Sequence, residues 1–328
     1  MAKTKHGLQE TQGMFQIRGT VTGTEKGNFY DEKKTKTGKD MRLLNFGVNV
    51  EKNKAVYLSL NGMAKDEVYF SKKMDDGKVD VKKVQWANRM TFKEEGYGLI
   101  GLNVGLEKDD KGKNIKHTYV EFDACKKISE LLKDDMSIFT KGKIEFSSFD
   151  SNDGKKRAVK FIPQQLSLTS KEIDFESEDF ELKSDFKQQI IFMGIDKEKE
   201  DRFVLSAKIV TYSSIEDAEF IIKDSKLAQM FKKNLKPYNA ITVHGNIVVE
   251  ESVEDVQDDD CWGEEDPTKK ILNPTKRELV ITGATPSTID RDTYSESNIE
   301  EAIAKLTQSE NAKDDWGTSS SNDEDDEW

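Results

Sequence analysis

The sequence predicts a mainly-β protein of two successive five-stranded barrels, each with one helix between its third and fourth strands, followed by a disordered acidic tail. Three observations predict it. Apolar and polar residues alternate strictly in many short runs, one order of elements occurs twice along the chain, and the last segment is too polar and like-charged to bury a core.

The first strand is MFQIRGTVTG, where Phe15, Ile17, Gly19 and Val21 alternate with Gln16, Arg18 and Thr20, the period-2 mark of a half-buried strand. A Gly- and Lys-rich loop, TEKGNFYDEKKTKTGKD, leads to a second strand. There Leu44, Phe46, Val48 and Val50 take one face and Asn45, Gly47 and Asn49 the other. The third, KAVYLSLNG, turns Val56, Leu58 and Leu60 inward and Tyr57 outward. Residues 62–116 read as an insertion of short strands and charged turns. After it HTYVEF resumes the sheet, and Asp123 is placed to cap a helix carrying Ile128, Leu131 and Leu132. The strand MSIFTKGKIEF, a tip with turn residues Asn152, Asp153 and Gly154, and the strand RAVKFIPQQLSL complete the first unit, 1–170.

Beyond an acidic linker the order recurs. Strands FKQQIIFMGI, RFVLSAKIVTY and DAEFIIK precede a helix capped by Asp224, and NAITVHGNIVV and KRELVITGA follow it, giving a second unit, 178–290. The closest internal match sets 137–144 against 240–247, each holding a mid-strand glycine, Gly142 and Gly245, that lets a strand coil sharply. Five strands with a helix between the third and fourth describe the OB-fold, a partly open barrel. Ser297 and Glu300 then make a capping box for an amphipathic helix over 297–308, with Ile299, Ala302, Ile303 and Leu306 on one side. Residues 309–328 form the tail.

The net charge of −12 conceals an asymmetry. Residues 1–170 carry 32 Lys and Arg against 24 Asp and Glu, whereas the remaining residues carry 19 against 39. Ten carboxylates fall in 250–266, in a loop of the second unit, and eight in the tail. A basic binding surface joined to acidic interaction segments is the expectation. No run of about 18 apolar residues suits a membrane span, and the first residues have no apolar stretch like a secretion signal, so a cytoplasmic protein without membrane contact is expected. Cys125 and Cys261 lie far apart in sequence and in different expected units, so no disulfide framework is expected and a reducing compartment fits; with three histidines they make no zinc spacing. The G-x-G-x-x-G match at 96–101 lacks the preceding buried strand and following helix of a dinucleotide site, and is assigned to a hairpin. No metal site, cofactor or catalytic constellation is expected.

Binding single strands without reading sequence needs cations for phosphates and flat rings for bases. The first long loop offers Phe29, Tyr30, Lys33, Lys34, Lys36 and Lys39; the later hairpin offers Phe149, Lys155, Lys156 and Arg157. Tyr57 either adds a third platform or packs beneath the insertion.

These residues bring a resemblance into view. KGKIEFSSFDSNDGKKRAVKF, GKDMRLLNFGVNVE and the terminal NDEDDEW resemble the fourth strand, hairpin and fifth strand, the second strand, and the acidic tail of bacterial and bacteriophage single-stranded DNA-binding proteins. The resemblance implies single-stranded DNA as ligand, Phe149 as a base-stacking aromatic, and a role in phage-type replication, recombination and repair. It also implies that Asp323, Glu324, Asp325, Asp326, Glu327 and Trp328 recruit replication or recombination proteins. The alternative is an OB-fold protein that binds other proteins and uses its acidic tail as a DNA mimic.

Overall fold

Where the sequence alternates, the backbone extends. The structure, a computed structural model, describes residues 4–151, 154–250 and 276–314. β1 (Gly13–Thr22) buries Phe15, Ile17 and Val21 and leaves Met14 outward. β2 (Tyr30–Lys34) and β3 (Asp40–Glu51) form a hairpin, and β4 (Lys54–Met63) follows. The insertion holds β5 (Glu67–Lys73), β6 (Val79–Gln85) and β7 (Gly98–Leu99) as a separate sheet in the order β6-β5-β7, then the hairpin β8 (Leu102–Lys108) and β9 (Asn114–Tyr119). After α1 (Glu121–Leu131) come the long β10 (Ser137–Ser151) and β11 (Gly154–Leu168). The second half runs β12 (Ser184–Lys199), β13 (Arg202–Val210), β14 (Ile215–Ile222), α2 (Ser225–Asn234), β15 (Asn239–Glu250), β16 (Lys276–Asp290) and α3 (Glu296–Asp314). The mainly-β expectation holds.

Hydrogen bonding closes two circuits. β1 pairs with β3 and β10, β3 with β4 and β10 with β11, and a parallel contact of Phe161 with Leu58 joins β11 to β4. In the second half β12 pairs with β13 and β15, β13 with β14 and β15 with β16, and β14 meets β16 in parallel. Gly142 and Gly245 hold matching places in the two. Each lies at a register shift, and a Cβ there would stand 1.9 Å from a backbone oxygen of the neighbouring strand, Ile162 O or Val280 O. The bare backbone is what permits the close approach.

The circuits also share a sheet and a core. β1 and β12 pair antiparallel from Gly13 opposite Gln188 to Ile17 opposite Ser184. Phe146 of β10 meets Phe220 of β14 at 6.1 Å between ring centroids, and Phe186 stacks on the same ring at 6.0 Å. All three are buried, each removing enough apolar area from water to stabilise the junction by about 2 to 3 kcal/mol. The two strand circuits, the first ending with β11 at Leu168 and the second beginning with β12 at Ser184, thus meet in one packed core. The N-terminal residues also belong physically to the second half: Thr11 N donates to Val210 O at 2.9 Å, Lys5 N to Tyr212 O at 3.1 Å, and the Tyr294 hydroxyl to Gln9 O at 3.1 Å.

Three local expectations are corrected. Asp123 does not cap α1, whose N-cap is Val120 without a side-chain bond; it accepts both Arg89 Nε (2.6 Å) and Nη2 (2.9 Å), tying the insertion to the helix. A bidentate partner with a full charge outcompetes backbone N–H groups for the carboxylate. β9 does not rejoin the main sheet directly but pairs with β8, which reaches it by running parallel to β11. The last helix starts at Glu296 rather than Ser297 and runs beyond 308. Asp224 caps α2, accepting from Lys226 N and Leu227 N.

Candidate nucleic-acid interface

The residues expected to form one site separate into three groups. Phe29 is a correction: at 8% exposure it lies in the apolar core, its carbonyl accepting from Asn45 N at 2.8 Å. An aromatic in a Lys-rich loop gains more by packing into the apolar core than by standing in water. Tyr30 is half-buried, and its hydroxyl donates to Glu32. Burial, followed by that bond, raises its pKa, and the same bond lowers that of Glu32. Two lysines of the loop are engaged, Lys34 with Asp40 (3.9 Å) and Lys39 with Asp66 (3.6 Å), in exposed pairs that constrain little. Lys33 and Lys36 are exposed and make no ion pair among the described residues.

The second group is the outer face of the β10–β11 hairpin. Strand alternation puts Lys141, Lys143, Glu145 and Phe149 on one side of β10, and the register sets Ile162 opposite Lys143, Lys160 opposite Glu145 and Lys156 opposite Phe149. Phe149 is 53% exposed. Below it, the inner face of the hairpin carries Phe146 against Phe220. Arg157 points to the second half and pairs with Glu219 of β14 at 2.6 Å. The pair is exposed on both sides and constrains the guanidinium little. The Lys155 side chain lies outside the described residues, as do Asp323, Glu324, Asp325, Asp326, Glu327 and Trp328 and the acidic run 251–266.

The third group surrounds Tyr57, which is 47% exposed on β4. It does not pack beneath the insertion. Its ring lies over Gly47, where a Cβ would stand 3.3 Å from Tyr57 Cε1, and Lys26 Nζ sits 5.5 Å from the ring centroid. Since Phe161 faces Leu58 in parallel, Lys160 and Ile162 of β11 flank the outward residues Tyr57 and Ser59 of β4. Arg277 of β16 fastens this place from the other half, donating to Val159 O (3.1 Å) and Tyr57 O (3.4 Å) with its guanidinium 5.1 Å from the Phe161 ring centroid. Further along, Ser59, Asn61, Lys65, Glu121, Lys143, Glu145, Lys160 and Ile162 line an open cleft of about 510 Å³, in which Lys65 pairs with Glu121 at 3.7 Å.

Together these residues make a strip from Phe149 and Lys156 past Tyr57 and Lys160 to Lys143 and Lys65. The seven residues of β11 from Lys156 to Ile162, six steps of the strand, span about 20 Å of it. Lys65, Lys141, Lys143 and Lys160 were not singled out from sequence, although the alternation in KGKIEF already set the first strand's two lysines on the face of Phe149. Among the described residues no group of three or more His, Cys, Asp or Glu side chains could hold a metal ion, and no helix is long and apolar enough to cross a membrane.

Fold and strip together define a mainly-β protein with a solvent-facing basic and aromatic track laid along its sheet. The model of the YorF family matches residues 75–318, and the chain belongs to that family. Two solved structures of the single-stranded DNA-binding protein from Thermus aquaticus are similar to it. The wild type has a TM-score of 0.40 at 11% identity, covering 88% of this chain and 96% of that one. A deletion mutant has a TM-score of 0.41 at 10% identity, covering 84% and 94%. No curated protein matches.

Proposed function

We propose that the two strand circuits are tandem OB-type barrels and that the protein binds single-stranded DNA without sequence preference. In this reading it protects single strands in phage-type replication, recombination and repair in the cytoplasm, and catalyses no reaction. The observation that supports it best is the strip itself: two half-exposed aromatic rings, Tyr57 and Phe149, share one outer face with Lys143, Lys156 and Lys160. Exposed rings cost free energy in water and are repaid by stacking on bases, while the lysines neutralise phosphates. The acidic tail is the partner-recruiting element, with Trp328 as its apolar anchor and its carboxylates competing with DNA for the basic strip.

Gel shifts with oligo-dT, duplex and RNA at two salt concentrations test the reading. Oligo-dT should bind most tightly, its log affinity falling with log salt at a slope of about −0.7 per phosphate contacted. Removing 309–328 should tighten binding at low salt, and Trp328→Ala should spare DNA affinity while losing captured replication or recombination proteins. Salt-independent binding, or none, would sink the proposal and favour a protein-binding module.

A further inference from the structure

The pairing of β1 with β12 carries the outer face of the first circuit into the second without a break. At the level of Lys143 the registers set Met14 of β1 beside it, Lys187 of β12 beside Met14, and His244 of β15 beside Lys187. All four side chains are exposed, so four neighbouring strands from both circuits present one straight row. At the strand spacing of about 4.8 Å the row is about 14 Å long.

Its composition suits a strand of nucleic acid rather than a protein groove. Met14 is 54% exposed between two lysines, a flexible and polarisable side chain that shapes itself to a flat ring. His244 lies against Gly283, where any Cβ would come within 2.5 Å of its Nε2. The nearby carboxylate does not oppose an anion. Asp185 is held by Lys183 at 2.6 Å and accepts from Gln16 (3.4 Å) and Asn246 (3.2 Å), whereas Lys143 and Lys187 make no ion pair among the described residues. Met14, Lys187 and His244 of this row, with Lys141 and Asp185, line an open cleft of about 360 Å³.

Resting on the proposed function, we infer that single-stranded nucleic acid leaves the first circuit at Lys143 and crosses the β1–β12 seam over Met14, Lys187 and His244. The seam is then a second segment of the binding path, and the second half binds nucleic acid through its sheet face even though its charge is acidic overall.

Two oligo-dT lengths test this in the full chain, one of about 8 nucleotides that fits a single barrel and one of about 25 that must reach beyond it. Lys187→Glu should weaken the long oligomer about tenfold, the size of one charge-assisted contact, and leave the short one unchanged. Phe149→Ala should weaken both. Lys187→Gln, milder for folding, should lower the salt slope of the long oligomer by about 0.7. If wild type binds both lengths while both Lys187 variants match it on the long one, the seam path is wrong and the first-circuit strip stands. If wild type binds neither, the proposed function falls and the seam path falls with it.

Discussion

Phe29 and Phe149 are chemically identical, both sit beside lysines, and the structure gives them opposite fates, so replacing each by alanine separates packing from recognition. Phe29 is 8% exposed inside the core. Its truncation removes a buried ring and leaves a cavity, which costs about 3 to 5 kcal/mol for a fully buried phenylalanine and about 3 at this edge position. Phe149 is 53% exposed at a hairpin whose footing is Phe146, so its truncation should cost about 1 kcal/mol of stability or less. Affinity should behave in reverse. Losing Phe149 removes one stacked base, about 1 to 3 kcal/mol, or about 5- to 150-fold in Kd for oligo-dT. Losing Phe29 should leave the folded fraction binding as wild type. Urea unfolding and fluorescence anisotropy of a labelled oligomer read the two quantities independently. A Phe149→Ala protein with wild-type affinity, or a stable Phe29→Ala protein with lost affinity, would refute the assignment.

Gly245→Ala should cost about 3 kcal/mol or more, because its Cβ would stand 1.9 Å from Val280 O, while Gly194→Ala, with no atom within 4 Å of its Cβ, should melt near wild type. Equal melting temperatures for the two would dismiss the close-approach argument. Burial pushes the Cys125 thiol from 9.0 up to about 12. The folded state thus favours the neutral thiol, a contribution fully present below about pH 9 and lost as pH climbs toward 12, where only the unfolded chain releases the proton. In a Cys261→Ser chain, an aromatic disulfide reagent at pH 8 should react only after denaturant is added; reaction of the native protein at the rate of a free thiol would contradict the burial.

Much of this architecture was legible because period-2 alternation reports faces directly: Tyr57 reads as outward between Val56 and Leu58 and is outward. Alternation says nothing about partners. The β1–β12 pairing joins segments separated by a whole circuit, and nothing local to MFQIRGTVTG announces a third neighbour. Arg157 reads as a free cation in its hairpin because Glu219 is 62 residues away, and Asp123 reads as a cap because Arg89 is 34 residues back. Phe29 was misread for a different reason. Composition cannot tell a loop aromatic that is buried in the core from one that stands in solvent, since only the depth of the ring distinguishes them. Lys141 and Lys143 are legible in KGKIEF, where the same alternation that marks the strand also sets both lysines on one outer face.

The bonds that hold residues 4–12 against β13, the loop after it and Tyr294 ahead of α3 give this segment an unusual schedule. Thr11 meets Val210 across 199 residues of chain, and Gln9 meets Tyr294 across 285. At about 5 to 20 residues per second, a ribosome delivers the first of these partners about 10 to 40 s after Thr11 itself is made, so the leading segment must wait in water while the first circuit closes. A bulky fusion or early truncation at this end would then act on the last association of the molecule rather than its first, leaving a folded first circuit beside an unfinished second half.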